Sequence, residues 1–277
     1  MIRACVIGWP IRHSRSPIIH GYWLKQHNIS GSYDKVEVAP GDLADFIAAV
    51  GGDYAGCNVT VPHKEAALML VDDVTETARA VGAVNTIWSQ DGKRHGMNTD
   101  VAGFLDNLDQ ETPGWDRAPL HAVVLGAGGA ARAVVYGLLQ RRASSIAVVN
   151  RGRERAEELV RDFGEGAKAA SFDDLPALLP AATLLVNATS LGMDGKPALD
   201  ISIHGLNPEA VVTDLVYVPM RTKLLTAAAV KGNRTAGGLG MLLHQAVPGF
   251  EKWFGVRPEV TPELRRLIEA DIAGAAS

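Results

Sequence analysis

Residues 121–133 read HAVVLGAGGAARA, an apolar run closed by glycines and followed at once by an alanine-rich stretch. Gly126, Gly128 and Ala131 form a G-x-G-x-x-A pattern, with Gly129 and Ala130 beside them, directly after an expected strand and directly before an expected helix. That context is what gives the pattern structural meaning. The first glycine permits a tight turn, the second lets backbone N–H groups approach a pyrophosphate, and the helix N-terminus behind them favours negative charge. A plain strand-to-helix turn is the simpler reading. Strand, turn, helix and a further apolar run, SSIAVVN at 144–150, together point to dinucleotide binding.

The end of that next strand distinguishes the dinucleotides, because an NAD site carries an acidic residue there for the ribose hydroxyls. Here the chain reads Asn150-Arg151-Gly152-Arg153-Glu154-Arg155. An acidic residue is missing where NAD needs one, while Arg151 and Arg155 stand four apart and converge on one helical face. A 2′-phosphate is the natural partner for such a pair, which points to NADP. The alternative is a solvated basic helix start paired with Glu154, Glu157 and Glu158. Cations in a first helical turn are disfavoured by ~0.3–1 kcal/mol without an anion nearby, which tilts the balance to the phosphate.

The rest of the chain repeats this β-α alternation. Strands are expected near 2–8, 32–38, 54–59 and 84–89, with helices near 17–27, 41–50, 62–70, 74–81 and 100–108. The segment ETPGWDRAPL at 111–120 is the best linker candidate. A second series has strands at 121–126, 144–150, 166–171, 183–189 and 210–216, with helices starting near 129, 152 and 173, the rhythm of a doubly wound nucleotide-binding domain. Helices follow from Gly238 to about 250 and from 262 to about 273, expected to pack back on the first domain. The fold class expected is therefore α/β with largely parallel sheets: a substrate domain at 1–100, a Rossmann-like domain at 101–242, and returning helices at 243–277.

Composition narrows the function. With 277 residues, 47% hydrophobic and 21% charged, the chain is long enough for two cores and too apolar for disorder. The net charge is −4 and the 27 basic residues are scattered, so no footprint for nucleic acid is present. The first apolar run is too short for a signal peptide, and no stretch approaches membrane-spanning length. Cys5 and Cys57, each inside an apolar run, suit a reducing cytoplasm. The eight histidines form no H-E-x-x-H, the cysteines no paired spacing, and there is no G-x-S-x-G elbow. Small-molecule chemistry without a metal is what remains.

The candidate chemistry lies in the first domain. In GWPIRHSRSPIIHGYW at 8–23, Ser14 and Ser16 precede Pro17, a residue favoured at the start of a helix, so Ser16 is a candidate N-cap. The pair serves either capping or a substrate carboxylate at the positive helix end. In CNVTVPHKEAALML at 57–70 the strand ends at Thr60, Pro62 opens a helix, and Lys64 falls in its first turn, against the macrodipole. Either it extends into water or an anion compensates it, and Asp100 in GMNTDVAGF is the candidate carboxylate. Asn58, Thr60, Asn85 and Asn98 stand at strand ends, where α/β sheets present ligands.

These segments resemble the shikimate dehydrogenase family over nearly the whole chain: GWPIRHSRSPIIH at 8–20, NVTVPHK at 58–64, GAVNTI at 82–87, NTDVAGF at 98–104, GAGGAARA at 126–133, Asn150-Arg151 with Arg155, NATSLGM at 187–193, and GLGMLLHQA at 238–246. The resemblance implies reversible NADPH-dependent reduction of 3-dehydroshikimate to shikimate. It gives Ser14 and Ser16 to the substrate carboxylate, and Thr60, Asn85, Asp100 and Gln245 to the ring hydroxyls. Lys64 becomes the acid/base group, with Asp100 orienting it, and Tyr217 reaches the substrate. Asn187, Thr189, Met193, Gly238 and Met241 would line the nicotinamide. A monomer or homodimer is expected. The alternatives are a quinate or dual-specificity enzyme using NAD, a non-catalytic NADP-binding sensor or scaffold on the same fold, and more distantly a folate-linked dehydrogenase.

Overall fold

The computed structural model describes residues 1–275. The chain divides into two compact units, residues 1–100 together with the segment from Leu243 onward, and Val101–Leu242. The first part contains β1 (Ile2–Gly8), α1 (Ser16–Gln26), β2 (Gly31–Glu37), α2 (Leu43–Ala48), β3 (Gly56–Val59), α3 (Lys64–Leu68), β4 (Asp73–Val74), α4 (Glu76–Val81), β5 (Thr86–Gln90) and β6 (Lys93–Met97). α5 (Asp100–Glu111) then leads to β7 (His121–Leu125), α6 (Gly129–Gln140), β8 (Ser145–Val149), α7 (Arg153–Phe163), β9 (Ala167–Ala170), α8 (Leu175–Leu178), β10 (Leu184–Asn187), β11 (Val211–Asp214), α9 (Lys223–Val230) and β12 (Arg234–Gly237). The chain ends in α10 (Gly238–Phe254) and α11 (Pro262–Ala275). Among the described residues no helix is long and apolar enough to cross a membrane.

The first unit is built on a six-stranded sheet in the order β2-β1-β3-β5-β6-β4. β1 is buried on both faces from Ala4 to Ile7, as suits a central strand between parallel neighbours. The sheet is mixed, which departs from the largely parallel expectation: β5 runs antiparallel to both β3 and β6. The reversal is made by Asp91 and Gly92, both at positive φ (52° and 74°), the two-residue turn whose twist matches a hairpin. β6, KRHGM, lacks an alternating apolar pattern and is invisible to periodicity, although the Asp-Gly pair marks its start.

Side chains alternate across these strands. Cys5, Ile7, Cys57, Val59 and Ile87 enter a core with Leu43 and Ile47 of α2. The cross-strand partners Asn58 and Thr86 belong to the alternate positions. An aromatic cluster joins α1, β2 and α10: His20 stacks on Tyr33 at 3.9 Å between ring centroids, with Trp23, Phe250 and Trp253 within 5.9 Å of it. Trp253 Nε1 donates to Ile87 O at 2.9 Å. Gly56 makes this approach possible, since a Cβ there would lie 2.2 Å from both Ile87 O and Trp253 Nε1. Trp23 Nε1 donates to Glu259 O (3.0 Å) and Arg15 pairs with Asp271 (2.9 Å), so the C-terminal helices pack within the first unit as expected.

The second unit is an all-parallel six-stranded sheet, β12-β11-β10-β7-β8-β9. Read from β7, the strands run outward in one direction to β9 and in the other from β10 to β12, the doubly wound order with its switch point between β7 and β10. The loop at 111–120 is not a linker. Trp115 is buried against Phe104 and bonded to Asp109 Oδ1 (2.8 Å), Arg141 bonds Asp116 (2.7 Å), and Arg234 bonds Pro113 O (2.9 Å). Burial of the indole and the arginine pairs outweighs the loop's turn-forming composition. α9 and β12 were not expected from the sequence. Thr222, whose Oγ1 accepts from Leu225 N, is the N-cap signal that marks α9.

His20 is fully buried and neither ring nitrogen has a hydrogen bond of ordinary geometry. Burial pushes its pKa down to about 3, with Asn58 opposing. The unfolded chain takes up the proton near 6.5, so the stability contributed by neutral His20 is complete above that pH and is lost as pH falls towards 3. The thermal midpoint of the protein should therefore fall between pH 7 and 4, and His20→Phe should flatten that slope. An equal slope in protein and variant would refute this account.

Candidate active site

The C-terminal edge of the first sheet gathers the polar residues, because β1 and β3 end there, β6 ends there, and antiparallel β5 begins there. Thr60 follows β3, its N–H donating to Ile7 O (2.9 Å), and α3 opens at Lys64 with no side-chain cap. Lys64 Nζ donates to Asp100 Oδ2 at 2.7 Å, the lysine side chain 30% and the aspartate 14% exposed. Asn98 Oδ1 receives the Asp100 N–H (3.0 Å) and its Nδ2 binds Ala83 O (3.1 Å), which fixes the start of α5.

Asn85 ties this edge together. Its Nδ2 hydrogens go to Asp100 Oδ1 (2.8 Å) and Thr99 Oγ1 (3.0 Å), and its Oδ1 accepts from Thr99 N (2.9 Å) and Thr86 Oγ1 (3.1 Å). The Thr99 hydroxyl donates onward to Gln245 Oε1 at 3.4 Å, bringing α10 to the same edge. Lys64, Asn85, Asp100 and Gln245 thus share one hydrogen-bonded network. It leaves lysine N–H groups free of Asp100, held beside a carboxylate, where they can meet an oxygen on a small molecule.

The serines differ from the expectation in one respect. Arg15, not Ser16, is the N-cap of α1, and Ser16 is the first helical residue with Pro17 after it. Ser14 Oγ instead accepts the Ser16 N–H (3.3 Å), so the capping contact comes from the earlier serine. Ser16 is 6% exposed and Ser14 half-buried.

In the second unit, Gly126 has φ +105°, and a Cβ there would lie 2.9 Å from Thr189 Cγ2 and 3.2 Å from Ala188 O. Gly128 and Gly129 face open space with nothing within 4 Å of a Cβ, and α6 starts at Gly129 with Gly128 as its N-cap and no side-chain cap. Unclaimed N–H groups over an open glycine surface fit a diphosphate. Asn150 Nδ2 closes the turn onto Gly152 O (2.9 Å). Arg153 is taken by Glu157 (2.9 Å), whereas exposed Arg151 and Arg155 have no ion pair among the described residues, so this part of the chain fits a 2′-phosphate.

Asn187 is fully buried. It donates to Asp214 Oδ1 (2.8 Å) and Leu191 O (3.2 Å) and accepts from the N–H and hydroxyl of Thr189, so both residues shape the loop after β10. Asp214, which sequence reasoning passed over inside an apolar strand, anchors that loop: burial pushes its carboxyl pKa up, while Thr222, Val216 N–H and Asn187 oppose. Gly238 allows a close approach, since its Cβ would sit 2.2 Å from Leu215 O. Met193 is exposed, Tyr217 half-buried and Met241 buried. Tyr33, Asn58 and Thr86 also escaped notice as a group, for the signal is only a polar residue inside each of three strands.

The family model described as shikimate dehydrogenase substrate binding domain matches residues 6–87, that for shikimate / quinate 5-dehydrogenase residues 111–192, and that for the shikimate 5'-dehydrogenase C-terminal domain residues 238–262. A shikimate dehydrogenase (NADP(+)) of Methylocella silvestris is 55% identical over 276 residues, covering 99% of this chain and 98% of that protein. Among solved structures, shikimate 5-dehydrogenase from Thermus thermophilus in complex with NADP(H) and shikimate has a TM-score of 0.87 at 34% identity, covering 98% of this chain and 100% of that one. Quinate dehydrogenase from Corynebacterium glutamicum in complex with NAD has a TM-score of 0.88 at 31% identity, covering 97% and 99%. With the lysine–aspartate pair, the doubly wound sheet and these full-length matches in agreement, the chain belongs to the shikimate dehydrogenase family.

Proposed function

We propose that this protein catalyses the reversible NADPH-dependent reduction of 3-dehydroshikimate to shikimate. The observation that carries the reading is the Lys64–Asp100 pair, held by Asn85 at the sheet edge where substrate would bind. The first unit is read as the substrate domain and the second as the NADP domain. Gly126, Gly128, Gly129 and Ala130 would hold the diphosphate, and Asn150, Arg151 and Arg155 the adenosine ribose phosphate. Asn187, Thr189, Met193, Gly238 and Met241 would shape the nicotinamide end, the first two by fixing the loop after β10.

When bound, NADPH supplies the hydride for the substrate carbonyl carbon. Negative charge then builds on the carbonyl oxygen, and the Lys64 ammonium stabilises it and delivers a proton from Nζ. Reduction uses the ammonium as proton donor and the reverse oxidation the free amine as proton acceptor. Asp100 Oδ2 keeps Nζ from turning into solvent, and Asn85 keeps Asp100 from rotating. Ser14 and Ser16 are assigned to the substrate carboxylate, where a hydroxyl pair at the start of α1 suits an anion. Thr60, Asn85, Gln245 and Tyr217 are assigned to the ring hydroxyls.

Cys5 and Cys57 are free and buried, and hydrogen bonding between them with burial raises the Cys5 thiol pKa, which supports unreactive thiols in a cytoplasmic enzyme. We read the working form as a monomer or homodimer.

Nicotinamide absorbance on mixing protein with shikimate or quinate, each with NADP⁺ or NAD⁺, tests the reading: reduction of NADP⁺ by shikimate is expected. Turnover only with quinate or only with NAD⁺ would overturn it. Lys64→Ala and Asp100→Asn should each lower turnover by about 10²- to 10⁴-fold with NADPH affinity kept, and unchanged turnover in both would remove their roles. Arg151→Ala should weaken NADPH by about 10- to 100-fold and leave NADH nearly unchanged, the loss of one charge-assisted contact. An equal loss for both nucleotides would refute the phosphate assignment.

A further inference from the structure

The second unit holds a cavity of about 210 Å³ that shares no residue with those assigned above to substrate or nucleotide. It opens between the loop after β10 and the start of α9. Gly192 and Gly195, both at positive φ (88° and 72°), turn that loop back on itself. The Gly192 N–H donates to Pro197 O (2.8 Å) and the Lys196 N–H to Met193 O (2.9 Å). The Asp194 N–H donates to Val218 O (2.8 Å), which holds the loop against the segment leading into α9. Leu191, Leu199, Pro219 and Leu224 supply apolar walls, and Leu199 and Leu224 are themselves buried in the core of the unit.

The rim of this cavity is positively charged. Lys196, Arg221 and Lys223 all line it, all are exposed, and none has an ion pair among the described residues. The one acid in the lining is Asp214, 1% exposed, whose oxygens already accept from Asn187 Nδ2 (2.8 Å), the Val216 N–H (3.0 Å) and the Thr222 hydroxyl (2.7 Å). Its charge is spent on donors of its own, so it does not neutralise the rim. Cations gathered round one opening repel one another, and an anion seated among them turns that repulsion into attraction. Lys223 and Leu224 also open α9, where the first N–H groups of a helix have no carbonyl before them.

Apolar depth and a cationic mouth specify a ligand with two different ends. An apolar cavity of ~150 Å³ holds a benzene ring. The larger volume here has room for one ring carrying a carboxylate. A guanidinium suits both ends, since it pairs with a carboxylate through two N–H groups and stacks on an aromatic face. A bare phosphate would leave the leucines uncovered, and a polyhydroxylated ring would press hydroxyls against walls that cannot bond them. We propose that this cavity is a second small-molecule site, which takes an aromatic monocarboxylate with its ring between Leu199 and Leu224 and its carboxylate at Arg221, Lys196 and Lys223. The site goes beyond the proposed function and does not depend on it. Its occupant would join the loop that Asn187 fixes to the start of α9.

Benzoate is the probe, titrated calorimetrically into the full chain with excess shikimate and no nucleotide, so that the substrate site is filled and nothing turns over. One benzoate per chain is expected. Inorganic phosphate, an anion without a ring, and benzamide, a ring without a charge, should each bind at least about 10-fold more weakly. Arg221→Ala should weaken benzoate by about 10-fold, the loss of one charge-assisted contact, and leave turnover of shikimate unchanged. Ala198→Phe, which puts a ring into the cavity from its own wall, should abolish binding. Benzoate should also raise the thermal midpoint of the wild-type protein and not that of Ala198→Phe. Should Ala198→Phe fold poorly, Arg221→Ala alone decides. Absence of benzoate binding, loss of it when shikimate is added, phosphate or benzamide binding as tightly, or unchanged affinity in Arg221→Ala would each overturn the proposal. A wild-type protein inactive on shikimate would count against the functional reading alone, and the two variants would still decide where benzoate sits.

Discussion

A carboxamide with all its hydrogen-bonding capacity spent governs the polar end of the first unit. Asn85 is 2% exposed, and an amide buried there without partners would cost about 1–3 kcal/mol per unmet group. Its partners come from separate elements: Thr86 opens β5, Thr99 follows β6, and Asp100 opens α5. None of these can shift without stranding a buried donor or acceptor. The cost of disorder is thereby placed on the residues whose geometry the chemistry needs, and Lys64 inherits a fixed partner instead of a mobile one.

The second unit solves a different problem with backbone instead of side chains. At Gly238 the chain passes too close to a neighbouring carbonyl for any side chain, and at Gly126, at φ +105°, a side chain would be strained and crowd Thr189 and Ala188, so the ends of β7, β10 and β11 come together there. At Gly128 and Gly129 the same turn opens outward. Crowding behind and space in front leave a bare surface of N–H groups at the switch point of a parallel sheet, where such sheets take ligands. The buried Asp214 carboxylate braces the adjoining loop with hydrogen bonds from a threonine, an asparagine and a backbone amide.

Much of this was legible in the sequence where a local rule carries the information. The glycine turn, the apolar strands of the parallel sheet and the basic start of α7 each have a short-range signature, and each lies where that signature indicated. Lys64 and Asp100, 36 residues apart, could be suspected from an awkward lysine in a first helical turn, and their contact closes what the helix dipole leaves unbalanced. Hidden features were those set by distant partners. β6 has no period of its own and exists because an Asp-Gly turn returns it to β5. The 111–120 segment has the composition of a linker, and only the burial of Trp115 and the pairing of Arg141, just after α6, and Arg234, on β12, make it part of the second unit. Ser16 is not the cap of α1, because the helix starts one residue earlier than the serine and proline suggest: Arg15 takes the N-cap position and Ser14 Oγ accepts the Ser16 N–H.

The turn after β7 also carries two separable histories in a few residues. Alanine at Gly126 would be held at φ +105° and crowded by Thr189 and Ala188, so folding alone selects against it. Alanine at Gly128 or Gly129 meets no atom of the protein, and only a ligand could object to it. Selection for stability and selection for binding therefore leave distinct marks on neighbouring glycines. A lineage that kept the scaffold while abandoning the nucleotide would be free to change the outer two and would have to retain the inner one.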